Sequence, residues 1–294
     1  MLGVAPAAGF DLLMSSGFLC FSSHCGMLRA LEATGQEPDA YVGTSSGALA
    51  AAMAAAGMSA AEIQDELGGQ RPIRLCRPGT PSRDGFVSTR ALVNRLRSVL
   101  PPTFDDLPKP LAVGVYRCKP KGASLEPYVN PGPLLVTSGD LPLAVAASCA
   151  VPGIFKPLPL DGTAQSVGTT LELPGVASAT TLARPELIDL QEPALAPTLY
   201  YADGGAVDRT MCSSWRAWRP GRKALVHLVS NRPYGEYGSR DGLDDPSDLL
   251  GVVRTPRAKA NFFSLRDFEA QVDRAEEQAQ EALAERIAWQ PATA

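Results

Sequence analysis

"YVGTSSGALAAAMAAAG", residues 41–57, sets a serine between two glycines and follows it with a run built almost wholly of alanine. The preceding "DAYV", 39–42, reads as a short apolar strand, and the alanines are the strongest of helix formers. Strand, turn Gly43-Thr44-Ser45-Ser46-Gly47 and helix together make a nucleophile elbow. Such a turn lifts the Ser45 hydroxyl above the strand ends, and glycines at 43 and 47 leave room for neighbouring backbone. The helix then aims its N-terminal N–H groups and positive dipole end at any oxyanion formed there. The pattern is short, and its plain alternative is helix capping by small residues, with Ser46 a polar residue of the first turn. The remaining sequence has to decide.

Outward from the elbow, strands and helices alternate. "FDLLM", 10–14, reads as a strand that breaks into a small-residue loop at 15–17. "GMLRALEATG", 26–35, has helical spacing and a glycine stop, and "MSAAEIQDELGG", 58–69, has Ser59 at the N-cap with Glu62 three residues on. A helix is predicted in "FVSTRALVNRLRSVLPP", 86–102, with Ser88 as cap and Leu92, Leu96, Val99 and Leu100 as its inner stripe. "LAVGVYRC", 111–118, and "KALVHLVS", 223–230, are buried strands, "SGDLPLAVAASCAVPG", 138–153, is a helix with Pro142 in its first turn, and 234–247 is a loop. A long amphipathic helix, "SLRDFEAQVDRAEEQAQEALAERIAW", 264–289, lies within a C-terminal helical region, 255–290. This alternation predicts an α/β fold, a three-layer sandwich with a mainly parallel central sheet. We read 8–294 as a single domain, with the Thr-, Ala- and Pro-rich 160–199 as an insertion.

Composition narrows the function. The 294 residues carry a formal net charge of −4 with no Lys/Arg block, which argues against nucleic acid as a partner. No apolar stretch reaches the length of a membrane span, and no basic region precedes an apolar one at the N-terminus, so a secretory leader is not expected; organelle targeting stays open. The six cysteines, Cys20, Cys25, Cys76, Cys118, Cys149 and Cys212, form no C-x-x-C pair and read as reduced thiols of an intracellular, cytoplasmic protein. No metal site is expected.

A serine nucleophile needs a base. There are two histidines. His227 lies within the strand "ALVHLV", a poor position for a loop-borne base, and His24 precedes the first helix near the 15–17 loop. The better candidate is Asp203 in "YYADGGAVD", 200–208, a carboxylate at a strand end with Gly204 and Gly205 allowing close backbone approach. Such a base requires burial to raise its pKa.

Taken together, the motifs resemble the patatin-like phospholipases, lipid acyl hydrolases that use a Ser–Asp dyad without histidine. The similarity runs from about residue 10 to 230. "GTSSGA" stands where the family has G-T-S-A-G-A. "FDDLPKPLAVGVYRCKPKG" is similar to the strand after its second long helix, "SGDLPLAVAASCAVPGIFKPL" to its S-x-A-I-P-x-x-F signature, and "YADGG" to its D-G-G/A. The resemblance implies Ser45 as nucleophile, Asp203 as base, acyl-enzyme chemistry on lipid esters, transient contact with a membrane surface and no cofactor or calcium. One stretch departs. The family's first loop, G-G-G-x-R/K-G, donates N–H groups to the oxyanion; here it is "SSGFLCFSSHCG", keeping Gly17 and Gly26 but with Ser16, Phe18 and Phe21 for glycines and Cys20 for the cation. Oxyanion donors at Gly17 and Phe18, beside Ser46, are expected if the backbone allows them, and Phe18, Leu19 and Phe21 would make an apolar rim. The altered loop leaves open a catalytically weak or inactive lipid-binding relative, and an acyltransferase or thioesterase is a second alternative. Oligomeric state is not readable.

Overall fold

The computed structural model describes residues 9–69, 71–82, 85–121, 124–127, 132–160, 166–168, 200–233, 235–243 and 245–287. In chain order its elements are β1 Phe10–Met14, α1 Phe21–Ala33, β2 Ala40–Thr44, α2 Ser46–Ala55, α3 Ala60–Gly68, β3 Arg77–Ser82, β4 Gly85–Ser88, α4 Arg90–Leu96, β5 Leu111–Lys121, β6 Ser124–Pro127, β7 Leu134–Val136, α5 Leu141–Ser148, β8 Leu158–Pro159, β9 Ser166–Gly168, β10 Tyr200–Asp203, α6 Cys212–Trp218, β11 Lys223–Val229, β12 Leu249–Thr255 and α7 Phe268–Arg286. Strands β12, β11, β1, β2 and β5 run parallel in that order. Beyond them β10, β7 and β6 pair antiparallel with β5, so the sheet is mixed rather than parallel throughout.

Strands β1, β2 and β11 are buried on both faces, which is why they read as unbroken apolar runs, while the edge strand β12 is half-buried over Leu249–Val252. Along β1, Leu12 and Met14 join the larger core with α1–α5 and α7, while Leu13 faces α6 and Trp215 on the other side. The polar Asp11 is tolerated within β1 because its carboxylate accepts the indole N–H of Trp215 at 2.8 Å and pairs with Arg219 at 3.1 Å.

Local signals predict most element ends well. Ser59 and Glu62 form the reciprocal capping box, and Gly35 and Gly57 take φ of +69° and +86° just past α1 and α2. Two expectations shift. The fourth helix begins only at Arg90 with Thr89 at its cap, because Ser88 is taken up by β4; Ser88 Oγ still accepts the Arg90 N–H at 3.3 Å. And α1 begins at Phe21, so Gly26 lies inside a helix, not in the loop. Of 160–199, only Leu160 and β9 are described, and β9 adds to the sheet against β7; the remainder of that predicted insertion lies outside the described residues.

Gly26 has a packing reason. A Cβ there would stand 2.6 Å from the Val272 carbonyl oxygen, the Glu276 nitrogen and the Ala275 Cβ of α7. Helix propensity alone favours Gly26→Ala by about 1 kcal/mol. The obstructing atoms are mostly backbone and cannot swing aside, so overpacking of about 1–3 kcal/mol should win. Gly26→Ala is therefore expected to lower the urea midpoint of unfolding, and an unchanged or raised midpoint would refute this account of the α1–α7 contact.

Candidate active site

The sheet register brings the site together. Thr44 of β2 pairs with Gly114 of β5, and Asp203 of β10 pairs with Val115. Ser45 and Asp203, 158 positions apart in sequence, thus meet over two adjacent residues of one strand. The first loop joins them from β1, the neighbour of β2. All three lie at strand ends, where open parallel sheets collect their ligands.

Ser45 has φ +56° and ψ −123°, a conformation costing a non-glycine residue on the order of 1–3 kcal/mol. Several contacts hold it there. Its N–H donates to Ser148 Oγ at 2.8 Å, and the Ser148 hydroxyl donates to the Gly114 carbonyl at 2.6 Å. Its own carbonyl accepts the Ala48 N–H at 2.9 Å, opening α2. The flanking glycines are required by contact: a Cβ at Gly43 would lie 2.5 Å from Ala48 Cα, and one at Gly47 would lie 2.3 Å from the Met14 carbonyl oxygen. Ser148, at the end of α5, lies in "SCAVPG", a stretch whose local pattern marks no catalytic role; its position is visible only once β5 and α5 are packed.

Asp203 ends β10 as the N-cap of a 3-10 turn, Gly204–Ala206. Its carboxylate accepts the Gly205 N–H at 2.8 Å and lies close enough to the Ser45 side chain for that side chain to lower its pKa. Burial pushes its pKa up to about 6, against the lowering effect of Ser45 and the Gly205 N–H. Gly204 and Gly205 fit the expected need for close approach: a Cβ on the first would strike Met211 Cε at 2.2 Å and the Gly114 carbonyl carbon at 2.7 Å, and one on the second would strike Ser16 Oγ at 2.4 Å.

The altered first loop is held by parts other than glycine. The Ser15 N–H donates to the His227 carbonyl, Ser15 Oγ accepts the Val229 N–H, and the Ser16 N–H donates to the Arg209 carbonyl. The Arg209 guanidinium, paired with Asp241 at 2.9 Å, donates to the Ser16 and Val229 carbonyls. The left-handed conformation falls on Leu19, at φ +54°, and not on Gly17 or Phe18. Among the described residues, the Gly17 and Phe18 N–H groups donate to no protein acceptor. Ser46 points inward: its hydroxyl donates to the Gly17 carbonyl and meets His24 Nε2 at 3.0 Å. The two histidines are buried and face each other, Nδ1 to Nδ1 at 3.1 Å.

Beside Ser45 and Ser46 opens a narrow apolar groove of about 60 Å3, lined by Phe18, Leu19, Phe21, Leu49, Leu92 and Phe155 among others. Phe262, from the 256–267 connection, closes it by stacking edge-on against Phe18 with ring centres 5.3 Å apart. No sequence motif marked Phe262.

A family model described as patatin-like phospholipase matches residues 12–212. The chain belongs to the patatin-like phospholipase family. Among solved structures it is similar to VipD from Legionella pneumophila, at 15% identity and a TM-score of 0.48 over 96% of this chain and 68% of that one. It is also similar to ExoU from the Pseudomonas aeruginosa type III secretion system, solved in complex with SpcU, at 16% identity and a TM-score of 0.41 over 96% of this chain and 53% of that one. Against ExoU it therefore spans about half the length of its relative. Among the described residues no helix is long and apolar enough to cross a membrane.

The raised carboxylate has a consequence for stability. Folding moves Asp203 from about 3.8 to about 6, so its contribution is fully present below pH 3.8 and lost as pH rises through 6. Two pKa units correspond to about 3 kcal/mol. Asparagine there carries no charge and can still accept the Gly205 N–H. Asp203→Asn should raise stability at pH 8 by an amount of that order, with the gain vanishing near pH 4. Urea titrations at the two pH values check this, and equal midpoints at pH 8 would contradict it.

Proposed function

We propose that this chain hydrolyses acyl esters of lipids through a Ser45–Asp203 dyad and an acyl-enzyme intermediate. The observation that carries the reading is the juxtaposition of a strained serine and a buried carboxylate over adjacent residues of β5, with the carboxyl pKa raised toward a working pH. Asp203 takes the hydroxyl proton as Ser45 Oγ attacks the ester carbonyl. The tetrahedral oxyanion is received by the free N–H groups of Gly17 and Phe18. Asp203 then returns the proton to the departing alcohol, and water, deprotonated by the same carboxylate, releases the fatty acid and regenerates Ser45.

The groove beside Ser45 would hold the acyl chain, since its lining is almost entirely apolar. Phe18 on its rim is partly exposed, as are Ile73 and Phe263. Both connect to the groove wall, Ile73 through its N–H to the Phe262 carbonyl at 2.7 Å and Phe263 as the next residue along. Together they offer an apolar face through which the site would meet a lipid surface.

Ser45→Ala is expected to abolish hydrolysis of a short p-nitrophenyl ester, and Asp203→Asn to lower it at least a hundredfold, with both proteins folded. Fluorophosphonate should label the parent and not Ser45→Ala; no labelling of the parent would mark an inert, lipid-binding relative. The acid limb of kcat/KM should rise with pH through about 6 as Asp203 loses its proton and stay level above. A rate independent of pH between 5 and 7 would remove Asp203 as the base.

A further inference from the structure

Two buried histidines lie next to the elbow without touching the Ser45–Asp203 pair. We propose that they, with Ser46 and Thr255, form a one-directional chain of hydrogen bonds that positions the Gly17–Phe18 peptide, and with it the Phe18 N–H, for the oxyanion; this rests on the esterase reading given above.

The chain runs across four elements. Thr255 Oγ1 at the end of β12 is 2.7 Å from His227 Nε2 on β11. His227 Nδ1 is 3.1 Å from His24 Nδ1 on α1, His24 Nε2 is 3.0 Å from Ser46 Oγ on α2, and Ser46 Oγ bonds the Gly17 carbonyl. Each member is at most 3% exposed.

Its protons can be placed from one end. The Gly17 carbonyl only accepts, so the Ser46 hydroxyl donates to it. The Ser46 oxygen must then accept, which puts the His24 proton on Nε2 and leaves His24 Nδ1 bare. His227 therefore donates from Nδ1, and its bare Nε2 accepts from the Thr255 hydroxyl. Every polar atom of the chain is used with both rings neutral, and a second proton on His24 would require His227 to carry its own proton on Nε2 instead. Burial favours the same state, lowering the pKa of both rings.

The terminal link acts on the reaction through peptide planarity. The Gly17 carbonyl also accepts the Cys20 N–H at 3.0 Å, so two donors fix that oxygen. In a trans peptide the N–H of the next residue leaves the opposite edge of the same plane. Fixing the Gly17 oxygen thus fixes the direction of the Phe18 N–H. The family's glycine-rich loop is absent here, and this chain offers a different means of holding the same peptide. His24, His227 and Ser46 are positioning residues: none reaches the reacting atoms.

The test uses the full chain and a short p-nitrophenyl ester. Ser46→Ala and His24→Leu should each lower kcat about ten- to a hundredfold with KM within twofold, because a misdirected donor weakens transition-state binding and not substrate binding. Ser46→Ala/His24→Leu should lose no more than either alone. His24→Gln, which keeps an N–H for Ser46, should recover most of kcat. In 15N-resolved spectra of the parent, His24 should carry its proton on Nε2 alone and His227 on Nδ1 alone between pH 6 and 9; this holds even if His24→Leu fails to fold. Unchanged kcat in Ser46→Ala, a rise in KM with kcat kept, or the opposite tautomers would overturn the proposal. If Ser45→Ala remains active, it is the esterase reading that fails, while the tautomer assignment still stands or falls on the spectra.

Discussion

A carboxylate buried beside an alcohol, with no cation among the described residues to neutralise it, is the constraint around which this molecule is arranged. Water would hold the charge of Asp203 more favourably than the interior does, so the fold has to supply what solvation would have given. It does so with the Gly205 N–H, the Ser45 hydroxyl and the precise register of β2 and β10 on β5. Those neighbours offset the desolvation only in part, and the carboxyl keeps a pKa near 6. A group left in that state is a better base than a surface aspartate and a cost to stability.

The supporting structure carries strain of its own. Leu19, Ser45 and Met211 all adopt positive φ, and each borders the dyad or its loop. Residues held in such conformations persist where surrounding contacts over-determine them. Here Ser148 and the bare glycines of the elbow do so for Ser45, while Arg209, Ser15 and Ser46 brace the loop after β1. The loop keeps its Gly17 and Phe18 N–H groups open with few glycines, because Leu19 takes the left-handed conformation and side chains donate to its carbonyls.

Much of this was readable from residues alone. The elbow announces itself because strand, glycine turn and alanine helix each follow from local propensity. Ser59 with Glu62, and Gly35 past α1, are signals confined to one turn of chain. Asp203 was legible as an unusual carboxylate because two glycines follow it at a strand end. Gly26 was misplaced for the complementary reason: a glycine in a helix looks like a break until α7, nearly 250 residues later, is laid against it. The Ser88 cap failed similarly, since β4 competes for the same residues through pairing with β3.

Sequence by itself determined the α/β alternation and the glycine-flanked turn at Ser45, and it singled out Ser45 and Asp203 as candidates, since all of these are written in spacings of a few residues. Tertiary structure alone decided that Ser45 and Asp203 meet, that Ser148 ties the elbow to β5, and that His24 and His227 join into one buried chain ending on the Gly17 carbonyl. Each of these is a contact between elements distant along the chain. Their geometry is set by sheet register and close packing, quantities to which no single stretch of sequence has access.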